Sequence, residues 1–132
     1  MPDDQPDRPS GAAMRRAVMG DAYVDREAQA RDPFITPFFD LGTEHVWGGL
    51  WNRPGLEPRY RSLVVVTTLA VLGRAHELRG HLRGALNLGW TPEELREACL
   101  QVGGYAGYLA ALDALRTLAE VVREREADRS GG

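Results

Sequence analysis

The run Val64-Val65-Val66-Thr67-Thr68 lies inside the longest apolar stretch of the chain, Leu63 to Leu72. By propensity alone, consecutive β-branched residues favour a strand. No other segment offers a convincing strand to pair with it, and a lone buried strand leaves its backbone N–H and C=O groups unmet. A helix meets those groups internally. The segment Arg61 to Leu72 therefore reads as a helix that is apolar on nearly all sides and packed centrally, and the fold class that follows is all-α. The stretch is also much shorter than the roughly 20 residues a membrane helix needs.

Other boundaries are written in turn chemistry. Gly89-Trp90-Thr91-Pro92-Glu93-Glu94 places a glycine where one helix can end left-handed, a threonine that can cap the next, a proline in its first turn and a glutamate at the capping-box position. One helix thus ends near Leu88 and another begins near Pro92. Leu95, Cys99 and Val102 follow at helical spacing, and the pattern resumes as Tyr105, Tyr108, Leu109, Leu112, Leu115, Ala119 and Val122. Two helices hinged at Gly103-Gly104 are expected. Upstream, Leu72-Gly73-Arg74 separates the apolar helix from one over Ala75 to Leu88. Short helices over Ala12 to Met19 and Ala22 to Arg31 precede a further start at Asp32-Pro33, and Pro37 argues against an unbroken helix there.

A chain of 132 residues with 43% hydrophobic and 27% charged residues can bury one core. Residues 1–11, rich in Pro, Asp and Ser, read as a disordered tail and as neither signal nor transit peptide. Residues 12–124 form the expected domain, and residues 125–132 a second disordered tail. The single cysteine, Cys99, forbids an intramolecular disulfide and a thiolate zinc cage, and its place on an apolar stripe makes it a small buried hydrophobe. A reducing compartment fits this usage. A net charge of -3 leaves no basic footprint, so nucleic acid is not an expected partner. All 16 basic residues are arginines, which excludes lysine Schiff-base and P-loop chemistry. The aromatic set Phe34, Phe38, Phe39, Trp47 and Trp51, with the small residues from Gly103 to Ala114, points to core and subunit contact, hence a homo-oligomer.

One constellation can carry chemistry. On the helix from Ala75 to Leu88 the apolar face is Leu78, Leu82, Ala85 and Leu86, while Glu77, His81, Gly84 and Leu88 run along one edge of it and Arg79, Arg83 and Asn87 point to the other side. A carboxylate one turn before a histidine can orient the imidazole and prepare a general acid or base. An exposed Glu–His pair or a satisfied core histidine has the same pattern. Metal binding is poorly supported, because Glu77 and His81 give only two ligands and nothing in the sequence places His45 or His76 beside them. No metal site is expected.

The ordered segments Trp47-Gly-Gly-Leu-Trp51-Asn-Arg53-Pro54-Gly55-Leu56, Arg61-Ser62-Leu63, Leu72-Gly73-Arg74, Glu77-Leu78-Arg79-Gly80-His81-Leu82-Arg83, Gly89 to Glu94 and Tyr105-Ala106-Gly107 resemble the carboxymuconolactone decarboxylase family from about Arg15 to Val122. The resemblance implies a cytoplasmic, all-α homo-oligomer, a trimer or hexamer, that needs no cofactor and acts on a small carboxylate or lactone, with no membrane partner. It implies that His81 matches the catalytic histidine and Glu77 its neighbour, with Trp47, Arg53, Arg61, Arg74, Leu88 and Tyr105 around the substrate. Because Arg79 and Arg83 point away from His81, the carboxylate clamp falls to Arg53, Arg59, Arg61 or Arg74. Alkylhydroperoxidase-like relatives of the family use a Cys-x-x-Cys pair, whose positions here hold Arg74 and Glu77, so dithiol peroxide reduction is impossible at this site. The chain departs from the family pattern at Asn87-Leu88-Gly89, where an Asn-Asn-Gly-like turn is usual, at Leu109 in place of a proline, and at His45 in place of an aromatic residue. A family decarboxylase of the β-ketoadipate type in aromatic catabolism is the first reading. A divergent member with a less polar substrate, or a non-catalytic oligomer that binds a small molecule, is the second.

Overall fold

The computed structural model describes residues 8–131. Every regular element among them is helical, and there is no strand. The helices are α1 (Gly11–Met19), α2 (Asp21–Ala30), α3 (Thr36–Gly42), α4 (Pro58–Leu72), α5 (Ala75–Asn87), α6 (Pro92–Ala106) and α7 (Tyr108–Ser130). A 3-10 turn over Pro33–Ile35 precedes α3, and a π-helical stretch over Thr43–Leu50 follows it. The chain divides into two compact units, Met1–Pro58 and Arg59–Gly132.

In the first unit, α1 packs on α2 and on the π-helical stretch, with Val18, Met19, Val24 and Trp51 buried. The backbone comes very close at one point: a Cβ on Gly11 would stand 2.0 Å from Thr43 O and 2.8 Å from Gly48 N. The expected N-terminal tail is therefore shorter at its described end, since α1 already starts at Gly11, capped by the Ser10 hydroxyl; residues 1–7 lie outside the described part. Trp47 stacks on Trp51 with centroids 4.7 Å apart. Between α1 and α2, Glu27 accepts from Arg15 Nη2 at 2.7 Å and from Arg31 Nη2 at 2.6 Å.

In the second unit one cluster joins Val66 and Ala70 of α4, Leu78, Leu82 and Ala85 of α5, Leu95, Cys99 and Val102 of α6, and Ala114, Leu118 and Val121 of α7. The long helix α7 packs against both α5 and α6. The capping box at Thr91 and Glu94 forms as expected, with both bonds at 3.1 Å. Cys99 is buried, and that burial pushes its thiol above the ordinary value, which keeps it protonated and inert.

Three expectations are corrected. The apolar helix α4 is not central: it buries only Ser62, Val66 and Ala70, while Val64, Val71 and Leu72 are more than half exposed. Helix α7 instead packs on both α5 and α6, and the threonine hydroxyls of α4 are met within the helix, Thr67 Oγ1 donating to Leu63 O at 3.1 Å and Thr68 Oγ1 to Val64 O at 2.7 Å. Next, α6 runs straight through Gly103-Gly104 and breaks at Gly107, whose φ of 104° suits only glycine. Gly103 serves close packing instead, since a Cβ there would meet Ala111 Cβ at 3.0 Å. Finally, α7 continues to Ser130 through residues expected as a tail, with Arg125 Nη1 donating to Asn87 Oδ1 at 2.8 Å and Ser130 Oγ to Glu126 O at 3.0 Å.

The Glu27 pairing sets a pH dependence. Burial pushes its carboxyl up, but the hydrogen bonds and charges of Arg31 and Arg15 outweigh that and hold it below the ordinary range. A depressed carboxylate contributes stability above its unfolded value of about 4.3 and loses it as pH falls through the folded one. Glu27→Gln should lower stability at pH 7 by about 1–2 kcal/mol. The gap between wild type and variant in thermal melts should shrink as the pH drops below about 4.

Candidate functional site

Helix α5 sorts its side chains onto three sides. Leu78, Leu82 and Ala85 enter the core. Arg79 reaches α7 and pairs with Glu120 and, at 2.7 Å, with Glu124, which also takes the guanidinium of Arg83. Burial acts to raise the Glu124 carboxyl, and the bonds and charges of Arg83 and Arg79 prevail, so it lies below its ordinary range. The rotation of α5 matches the helical wheel read from the sequence, with Arg79, Arg83 and Asn87 on the side away from His81.

The remaining edge carries the candidate chemistry. His81 is half-buried, and its Nδ1 is covered from solvent. Glu77 stands one turn earlier in the first turn of α5, exposed, and makes no hydrogen bond or ion pair among the described residues. Helix and histidine therefore present an imidazole at the rim of an apolar core, with a carboxylate at i−4 on the same helix. Leu88 closes α5 as its C-cap, half-buried, with its N–H donating to Gly84 O at 3.0 Å.

The other sequence candidates are dispersed. Trp47 and Arg53 belong to the first unit, Trp47 half-buried against Trp51 and Arg53 exposed in the turn that follows. Arg61 is half-buried on α4. Arg74, exposed at the start of α5, lines a cavity of 210 Å³ with Asp113, Arg116 and Thr117 of α7. Tyr105 is 88% exposed and lines a different groove, of 590 Å³ and mainly apolar, with Leu63, Val71 and Val102. Arg74 and Tyr105 thus do not share a cavity, and neither Glu77 nor His81 lines these two.

Sequence reasoning passed over Ser62. It is completely buried on α4, in the stripe that continues as Val66 and Ala70, and its hydroxyl has no hydrogen-bond partner. The signal was a polar residue at i−4 and i−8 of a buried stripe. Arg59, one turn before it, lies flat on Trp90 with Cζ 4.0 Å from the ring centroid, and its Nε is buried without a partner. No group of three or more His, Cys, Asp or Glu residues among the described residues could hold a metal ion. No described helix is long and apolar enough to cross a membrane.

Comparison with known proteins agrees with the helical pattern. The family described as "Carboxymuconolactone decarboxylase family" matches residues 37–120. The chain is 38% identical over 114 residues to a 4-carboxymuconolactone decarboxylase of Acinetobacter baylyi, covering 86% of this chain and 85% of that one. It is 35% identical over 123 residues to a nitrosuccinic acid decarboxylase of Metarhizium robertsii, covering 90% and 86%. With the greater part of its length matched in both ways, the chain belongs to the carboxymuconolactone decarboxylase family.

Proposed function

We propose that this protein is a decarboxylase of small acids whose own functional groups take up the electrons released with CO2, and that His81 is its proton donor. The observation that carries the reading is the half-buried imidazole of His81 at the rim of the α5 core face, one turn after Glu77, in a chain 35–38% identical to two relatives named as decarboxylases. The substrates in those two names share a chemical logic. In 4-carboxymuconolactone the electrons of the breaking C–CO2 bond run through the ring double bond into the lactone carbonyl. In nitrosuccinic acid they pass into the nitro group on the same carbon. Each acid keeps a second carboxylate after CO2 has left.

An acid of this class supplies its own electron sink, so the protein has to bind carboxylates, shield them from water, stabilise the developing oxyanion and return one proton to carbon. His81 gives that proton and recovers one from solvent, so that carboxylate plus proton becomes product plus CO2. Glu77, one turn earlier on the same helix, is the proposed orienting neighbour of the imidazole. Arg61, half-buried on α4, is the proposed carboxylate clamp, with Leu88 at the end of α5 as an apolar wall. No resident cofactor is required by this chemistry. Which acid is turned over first is decided by following CO2 release from 4-carboxymuconolactone and from nitrosuccinic acid side by side. Release from neither would remove this reading.

His81→Ala should lower kcat by about a hundredfold to ten-thousandfold with helicity unchanged, since the side chain lies at the rim of the core and not in it. Glu77→Gln should cost only about two- to threefold, because an exposed i, i+4 charge pair contributes a few tenths of a kcal/mol. Near-normal turnover in the histidine variant would sink the proton-donor role.

The same protein is proposed to work as a homo-oligomer. Val64 and Leu72 of α4, Leu100 and Tyr105 of α6, and Tyr108 and Leu109 of α7 are all at least half exposed, more apolar surface than a soluble helical monomer usually shows. Tyr105, which lines the apolar groove with Leu63, Val71 and Val102, is proposed to serve assembly as well as any substrate. Light scattering should give a multiple of 14.6 kDa for the wild type and a smaller species for Leu109→Glu. A wild-type monomer at micromolar concentration would overturn the assembly.

A further inference from the structure

Helix α3 has two unlike sides. Phe39 is half-buried, with Arg31 Cζ 4.0 Å from its ring centroid, and Thr43 Oγ1 donates to Phe39 O at 3.0 Å. The other side is bare: Phe34 is 88% exposed, Phe38 77% and Leu41 54%. These three follow one another at i, i+4 and i+7, the spacing of a single helical stripe. Phe34 stands in the 3-10 turn that leads into α3, and the Asp32 carboxylate accepts its backbone N–H at 2.9 Å, which holds that turn against the helix. The first unit thus presents an apolar ridge that is already fixed in shape.

The second unit holds the concave counterpart. The apolar groove of 590 Å³ has Leu63 and Val71 of α4 on one side and Ala98, Val102 and Tyr105 of α6 on the other, and no charged residue lines it. At about 30 Å³ per molecule it holds roughly twenty waters against apolar walls, and their release favours a hydrophobic occupant. A helix with apolar anchors at i, i+4 and i+7 is the kind of element that lies down in such a groove. Every copy of the chain carries both halves, one ridge and one groove. Their areas agree as well. At about 150–250 Å² for a large side chain, the exposed apolar residues from Phe34 to Leu50 present about 700 Å² and those from Tyr60 to Leu109 about 900 Å², against the ~800 Å² per partner of a standard interface. A groove laid on a second groove would leave both unfilled, whereas a ridge fills it at interior density.

We propose that Phe34, Phe38 and Leu41 of one copy seat in the groove between α4 and α6 of a second copy, head to tail. The assignment rests on the homo-oligomer reading above and gives it a mode. Each subunit serves once as ridge and once as groove, an arrangement that closes into a ring when the rotation between neighbours allows. The anchors and the groove walls bring no charge into the contact, so no ion is desolvated without a partner. The ridge is held by Asp32 and Thr43 before it docks, which keeps the ordering cost of association low.

The experiment follows the mass of the whole protein in sedimentation and light scattering. Phe38→Glu spoils the ridge and Val71→Glu the groove. Both side chains are more than half exposed in a single chain, so helicity should be kept in each variant. Each alone should raise the dissociation constant at least about thirtyfold, the effect of losing a buried anchor, and so give single chains of 14.6 kDa where the wild type is assembled. An equal mixture of the two should give a two-chain species, because the sound ridge of one enters the sound groove of the other and the remaining surfaces are both spoiled. Cysteines carry the same test without added charge: Phe38→Cys chains mixed with Val71→Cys chains should cross-link to one another on mild oxidation. Phe38→Glu protein that assembles like the wild type would overturn the proposal and leave the homo-oligomer reading standing. Single chains in the mixture of the two glutamate variants, or no cross-link between the cysteine variants while the wild type is assembled, would overturn it too. A wild-type monomer would remove both the homo-oligomer reading and this contact.

Discussion

Burial of Leu78, Leu82 and Ala85 sets how α5 is turned, with the ion pairs from Arg79 and Arg83 to Glu120 and Glu124 along its seam with α7, and the side of α5 that carries His81 follows from that rotation. A helix repeats every 3.6 residues, so committing positions 79 and 83 to one neighbour leaves 78, 82 and 85 to the core and 77 and 81 to an edge. The pairs are partly exposed, and their free-energy contribution is modest. The hydrogen bond from Arg125 to Asn87 extends the same seam to the end of α5.

What was readable from the sequence was whatever depends on near neighbours along the chain. The Thr91 capping box, the turn at Gly89 and the three sides of α5 all rest on contacts within one or two turns or on helical period, and each is seen as read. What was not readable depends on partners distant in the chain. Gly103 looks like a breaker by propensity, yet it permits the approach of Ala111 eight residues later, and Gly107, which breaks the helix, is the one held at positive φ. The apolar α4 looks central because its composition carries no information about which helix will occupy the middle. Its exposed valines and leucine show that α4 lies at the edge of the cluster.

The candidate site was legible to the same degree. Glu77 and His81 are neighbours on one helix and could be paired by counting. Arg53, Arg61, Arg74 and Tyr105 come from separate elements, and counting along the chain cannot say whether they meet; Arg74 and Tyr105 line different cavities. Ser62 was hidden for the opposite reason. A serine in an apolar helix is ordinarily dismissed as self-satisfied through the carbonyl four residues back. Only coordinates distinguish the threonines that do this from the serine that does not.

A bundle of helices with an apolar centre offers few polar groups, and that scarcity is compatible with decarboxylation of an acid that carries its own electron sink. The barrier to losing CO2 falls as the carboxylate is moved away from water and the charge spreads into the product-like anion. What the protein must place with care is then limited to donors for the acid that stays and one proton for the carbon left behind. In the second unit the half-buried imidazole of α5 and the half-buried Arg61 of α4 belong to two helices that share one apolar cluster, through Val66 and Ala70 on α4 and Leu78 and Leu82 on α5. Packing that cluster tightly limits the freedom of both groups at once, because a core at crystal-like density leaves little room for either helix to turn. Precision at the polar positions is therefore inherited from the apolar ones, and substitutions at Leu82 or Val66 that open a cavity should blur the chemistry as well as lower stability.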